Sequence, residues 1–238
     1  MINIVFNYVW GSEIALEMTF LGVAGFTAII SYILYILNRA REARLGGLIA
    51  FILPIISLAI LNAHLLKPEA SYLILLSPNT SSWMVYGAVS IVLFILFTAL
   101  FEAPLVLPRI GFWGRSRESM IVIGALMSIF GIVISIYPGF LLAYERGVPI
   151  WCGAGVPLVS LFMGAIGGVA IYSITLYRDK RLSLSLAILI ALLLSIFIIH
   201  LYLALFRGEA MRISSQVILN STEFRAGLAS SLIALALS

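Results

Sequence analysis

The sequence predicts an all-α fold: a polytopic bundle of transmembrane helices forming a single integral membrane domain over residues 1–238. Three observations carry that expectation. Hydrophobic residues make up 63% of the chain and charged residues 10%, with a mean hydropathy of +1.16. A water-soluble domain carries about 45–50% apolar and about 25% charged residues, so a soluble enzyme is excluded. Apolar runs of crossing length, roughly 20 residues, recur along the chain and leave only short loops, with no room for a folded extramembrane domain. Finally, each of the first six runs is bounded by charges, Pro or polar clusters.

The first run spans 13–37. Met1–Gly11 contains no Lys or Arg, so the positive region of a cleavable signal is missing, and the run is too long for a signal core. It is expected to cross. Further crossings are expected at 45–66, 82–107, 119–144, 156–177 and 182–206. A seventh, 221–238, reaches the chain end without a flanking charge or aromatic anchor, and the natural chain is expected to continue past Ser238. No fixed-period repeat, linker or low-complexity segment appears. The single cysteine, Cys152, excludes an intrachain disulfide and any Cys-ligated cluster or zinc site within this chain. No metal is expected here.

Orientation follows from the basic residues. The first, third and fifth loops hold Arg39, Arg41, Arg44, Arg109, Arg115, Arg117, Arg178, Lys180 and Arg181. The even loops hold only Lys67, Arg146, Arg207 and Arg212. This places the N-terminus and the even loops outside the plasma membrane. The net charge of +4 therefore speaks to orientation and not to nucleic acid. The outer loops KPEASYLILLSPNTSS and ERGVPIWCGAG are rich in Pro, Gly and Asn turn chemistry. Lys67, Trp83, Arg146 and Trp151 on this face are candidates for docking a partner, against the simpler reading of the tryptophans as interface anchors.

Ionisable residues at membrane depth are functional candidates by default. Near the centres of the second to sixth crossings stand hydroxyls such as Ser57, Thr98, Ser128 and Ser195, whose usual role is to bond backbone. No carboxylate ladder is visible, which weighs against a proton pump or ion-coupled transporter. The ionisable groups read as clustered in the outer third. Glu13 and Glu17 share one face of the first helix at i and i+4, and are candidates for proton exchange with outer water. His64 and His200 lie at matching depth, and Tyr137 nears the outer end of the fourth crossing. Each has a structural alternative: a helix-start carboxylate for Glu13, a belt aromatic for Tyr137, a packing histidine for His200. Two histidines at one depth also leave open a b-type haem. GVAG at 22–25 and GAIGG at 164–168 read as helix-packing surfaces.

The stretches HLLKPEASYLILLSPNTSSWMVYGA (64–88) and YPGFLLAYERGVPIWCGAGVPLVSLFMGAIGG (137–168) resemble the membrane subunit of the NrfD/polysulfide reductase (PsrC-like) family. So does the opening helix WGSEIALEMTFLGVAG, and Phe224–Gly227 is similar to a late F-x-x-G. The matching segments occur in the family's order over most of the chain. Leu66 stands where the family has Gly, Pro138 where it has Thr, and family members commonly have eight helices. The resemblance implies a membrane anchor for a respiratory oxidoreductase. Such an anchor passes electrons between a menaquinone-like quinone and a ferredoxin-like iron–sulfur subunit on the outer face. Beyond that subunit lies a molybdopterin catalytic subunit or a cytochrome, the setting being anaerobic respiration. Glu17, His64 and Tyr137 are then the quinone-binding candidates, and the chain holds no complete catalytic site of its own. The terminal substrate would reside in the catalytic subunit, so sulfur compounds, nitrite, arsenate and sulfoxides all stay open.

Two other function classes compete. One is a haem-carrying anchor using His64 and His200; the other is a small-solute transporter, weakened by the uncharged membrane centre and the lack of paired broken helices. The topology is directly testable. In intact cells expressing the chain without partners, an impermeant thiol reagent should label Cys152; labelling only after permeabilisation would reverse the orientation.

Overall fold

The computed structural model describes residues 12–65, 67–68, 71–76, 82–107, 111–144, 151, 155–175, 180–206 and 208–222, with 225–226, 229 and 232–233 beyond them. In chain order the helices are α1 (Ser12–Ile36), α2 (Ala40–His64), a single turn α3 (Leu73–Leu76), α4 (Trp83–Val106), α5 (Arg117–Tyr144), α6 (Gly155–Thr175), α7 (Lys180–Leu205) and α8 (Glu209–Asn220). A 3₁₀ turn, Phe112–Arg115, precedes α5. No strand occurs among the described residues.

Six of these helices (α1, α2, α4, α5, α6 and α7) are long and apolar enough to cross a membrane. They coincide with the first six expected crossings to within a few residues, and the all-helical membrane bundle stands. The count differs from the expected seven. Most of 221–238 falls outside the described residues, and the segment between the sixth and seventh expected crossings forms α8. Gly208 separates α7 from α8 at φ 127°, a backbone conformation that a side chain would strain. Met211, Ser215 and Ile218 of α8 are the positions turned toward the bundle, whereas Ile213 and Val217 stay exposed.

Short connections make successive helices antiparallel. α1 ends in a Schellman motif: Arg39 N–H donates to the Leu34 carbonyl at 2.9 Å and Asn38 N–H to the Tyr35 carbonyl at 3.0 Å. Asn38 sits at φ 61°, the left-handed position such a cap requires. α2 therefore folds straight back along α1. Arg39, Arg41, Arg44 and Arg117 lie at this end of the bundle, and the ends of α2, α5 and α7 lie at the other.

The centre of the bundle is α1, which packs against α2, α5 and α6. Its contacts with α5 and α6 are backbone to backbone. A Cβ at Gly22 would stand 3.2 Å from the Gly164 Cα, and one at Gly131 would stand 2.8 Å from the Gly25 carbonyl oxygen. The GVAG and GAIGG segments are thus packing surfaces, because only small residues let helices come this close in lipid. Hydroxyls stitch the same seam: Ser135 Oγ donates to the Gly22 carbonyl at 3.0 Å, and Ser160 Oγ to the Ser135 carbonyl at 2.9 Å. Around it a core of Leu21, Ala24, Ala28, Phe94, Phe101, Met127 and Ile134 is closed to solvent. Ile52, Val92, Ile129, Ile188 and Ile198 point outward, forming an apolar exterior suited to lipid.

Gly25→Val should test the seam, because the new side chain overlaps the Gly131 carbonyl and the Ser135 hydroxyl. Overpacking of this kind costs about 1–3 kcal/mol, read as a lowered thermal midpoint in detergent. Ile129→Leu, on the outward face, should leave that midpoint unchanged.

Candidate functional site

Glu17 lies one and a half turns inside α1 and is 6% exposed. Its partner comes from α2: Ser57 Oγ donates to the Glu17 carbonyl at 3.1 Å and approaches Glu17 Oε1 at 3.3 Å. Ser57 therefore departs from the expected bonding within its own helix. Thr98, Ser128 and Ser195 follow it, donating to Phe94, Gly124 and Ala191 respectively. The difference is positional. Ser57 faces α1 at full burial, next to an acceptor that has left the reach of water, and an unpaired buried polar group is costly.

Tyr137 approaches from α5, close enough to Glu17 for the two to interact electrostatically. Its ring rests on Gly87 of α4, in the space that any Cβ there would fill. Pro138 is fully buried beside it, and Gly139 lets α5 close onto Pro157 at the start of α6. The segment around Tyr137 is thus held by α4 on one side and α6 on the other. Trp83, at the first turn of α4, stacks on Phe140 with ring centroids 5.3 Å apart and planes 5° apart. This stack closes the α4–α5 contact one turn beyond Tyr137.

The structure therefore brings together Glu17 and Tyr137, with Ser57 as an addition. His64 is the last residue of α2, and its side chain lies outside the described residues, as does that of Glu13. Arg146 lies outside them altogether. Lys67 is exposed, while Trp151 packs against the cluster of Leu201 and Ala204 on α7. His200 is elsewhere. It sits on α7 against Gly155, beside a cleft of about 310 Å³ that Leu158 and Met211 also line. α7 packs against α6 and α8, and no extended contact joins it to α2 among the described residues.

One feature of the polar layout differs from the sequence reading. The ionisable groups are not confined to one depth: Glu102 is buried near the opposite end of α4, at 4% exposure. The sequence does not single it out, because it stands four residues from the helix end and two before Pro104, where a flanking carboxylate is unremarkable.

The described residues thus form a bundle of membrane-crossing helices with a buried carboxylate, a serine from a second helix and a phenol from a third near one end. The family described as Polysulphide reductase, NrfD matches residues 2–237, and the chain belongs to that family. Its members are membrane anchor subunits of polysulfide-reductase-like oxidoreductase complexes. No match was found among curated proteins.

Ser57→Ala should isolate the Glu17 link. Removing the donor from a buried acceptor costs about 1–3 kcal/mol, measured as a lower thermal midpoint in detergent. Ser195→Ala, whose hydroxyl bonds only within an exposed turn of α7, should shift it far less.

Proposed function

We propose that this chain is the quinone-interacting anchor of a membrane oxidoreductase complex. In this role it exchanges electrons between the membrane quinone pool and an iron–sulfur subunit docked at the Glu17 end of the bundle. That end faces the outside of the plasma membrane, because the arginine-bearing connections stay in. The observation that carries the reading is the convergence of Glu17 and Tyr137 from different helices at one depth near that end.

A quinone exchanges two electrons and two protons, so its site requires donors to the carbonyl oxygens and a group that passes protons to water. The residues fit that requirement. Tyr137 is a directed donor whose ring is fixed by Gly87 and serves one carbonyl. Glu17, steadied by Ser57, receives and releases the proton, with Glu13 one turn nearer the outer surface as the next acceptor. His64, at the end of α2, serves the second carbonyl. Electrons pass to the docked iron–sulfur subunit and on to a molybdopterin subunit or cytochrome. Lys67 and Trp83 are exposed on the docking side, and the connection between α5 and α6 adds Arg146 and Trp151.

In the complex with the iron–sulfur partner, Tyr137→Phe should weaken quinone binding while folding survives. One lost hydrogen bond of about 0.5–1.5 kcal/mol corresponds to between a few-fold and roughly tenfold. Glu17→Gln should bind quinone nearly normally but turn over slowly, because a carboxamide carries no proton. His200→Leu should change neither quantity. A silent Tyr137→Phe together with an inactive His200→Leu would move the site to α6 and α7. A haem signal in the reduced-minus-oxidised spectrum of the isolated chain would favour the histidine pair.

A further inference from the structure

At the arginine-bearing end of the bundle the structure holds a second polar site, made by residues with no part in the Glu17 arrangement. Glu102 of α4 and Tyr172 of α6 are 4% and 1% exposed. Both carboxylate oxygens of Glu102 and the hydroxyl of Tyr172 are buried without a hydrogen-bond partner among the described residues. They meet on one step of α2. A Cβ at Gly46 would overlap the Tyr172 hydroxyl, and a Cβ at Gly47 would overlap Glu102 Oε1. Two consecutive glycines thus make room for two polar side chains from different helices. Ser31 of α1 lies beside Tyr172; it gives its own proton to the Ala43 carbonyl at 2.6 Å and keeps its lone pairs as acceptors facing the Tyr172 hydroxyl.

An anion buried with nothing to donate to it is strongly disfavoured, whereas a carboxylic acid there is neutral and its O–H can serve a neighbouring oxygen. Arg44 of α2 is the cation within electrostatic reach of Glu102. Arg44 also lines a cleft of about 460 Å³ with Arg41, Leu48 and Leu105, open at the basic end of the bundle. Leu105 is one turn from Glu102 on the same face of α4, which places the cleft one helical turn from the buried carboxyl group. The other elements against this part of α4 bring no competing charge among the described side chains. Tyr32 and Tyr35 of α1 pack edge-on to Phe101, Arg117 of α5 donates to the Ile36 carbonyl, and Glu118 is exposed.

We propose that Glu102, with Tyr172 beside it and the Arg41–Arg44 cleft as its entrance, is an exchangeable proton-binding site on the arginine-bearing side of the membrane. In the loaded form a carboxyl oxygen holds the proton. On release the proton returns to water in the cleft, and the carboxylate left behind is stabilised by Arg44. No electron moves in this step. The site is separate from the Glu17 end: Gly47 and Ser57 are about 15 Å apart along α2, with the closed apolar core beside that stretch.

The test uses the full chain in liposomes and dicyclohexylcarbodiimide, an apolar reagent that adds to carboxylic acids in their protonated form. Peptide mass spectrometry then reads modification as a function of pH. Glu102 should be modified at low pH and lose modification through a single midpoint as pH rises. Glu102→Gln should abolish the modified peptide. Arg44→Gln should move the wild-type midpoint upward by about one pH unit or more, and Tyr172→Phe should move it in the same direction. Modification at every pH would mean a fixed structural acid, and none at any pH would mean a permanent anion; either result overturns the proposal. So does a midpoint indifferent to Arg44→Gln. Because no quinone or partner enters the experiment, its outcome is independent of the quinone assignment.

Discussion

The contact on which the structure depends is the backbone approach of α1 to α5 and α6. In lipid, helices gain nothing from hiding apolar side chains from one another, because the solvent is equally apolar. Association has to come from close packing and from polar bonds between helices. Gly22 against Gly164 and Gly25 against Gly131 bring the backbones together, and Ser135 and Ser160 then add hydroxyl bonds across the seam. The rest of the arrangement follows. α1 becomes the central helix, and each of its two ends presents a polar residue, Glu17 or Ser31, to a neighbour that has a matching group.

This centrality explains why the polar chemistry divides into two sites with a dry interval between them. α1 and α2 are joined by a tight Schellman turn and run antiparallel along nearly their whole length. Any polar residue on one has a register partner on the other. Near the open end the partner of Glu17 is Ser57, and near the turn the partner of Ser31 is the Ala43 carbonyl. Between them the facing positions are Leu21, Ala24, Ala28 and Ala50, which leave no room for water. The buried hydroxyl of Thr27 in this interval bonds back to Val23 of its own helix. Among the described residues the buried carboxyl groups, Glu17 and Glu102, therefore lie toward the two ends of the bundle.

Glycine also decides where the aromatic hydroxyls can sit. Gly87 holds the Tyr137 ring and Gly46 receives the Tyr172 hydroxyl. Both are missing side chains on a neighbouring helix, and the space they leave is filled by the phenol opposite. Pro104 acts similarly at the basic end, where Gly111 and Gly114 pack against it and Trp113 Nε1 donates to the Leu100 carbonyl at 2.9 Å. That donor meets a carbonyl on the side of α4 where Pro104 has removed the regular backbone partner.

Six crossings, their ends and their alternating direction were legible in the sequence, because length, hydropathy and the basic loops act locally and each run must span the same thickness. The family was legible as well, since its long gapped motifs keep their order. Glu17 and Tyr137 could be singled out as polar residues at membrane depth. Their convergence, however, depends on the rotation of α1 against α5, which no single-helix pattern contains. Glu102 and Tyr172 were missed for the complementary reason. Each looks ordinary near the end of its own helix, and they become a site only when the Gly46–Gly47 step of α2 leaves space for both. Sequence determined which segments enter the membrane, while tertiary packing decided which polar groups meet there. Burial is a property of one helix in lipid, but a partner is a property of two helices in register.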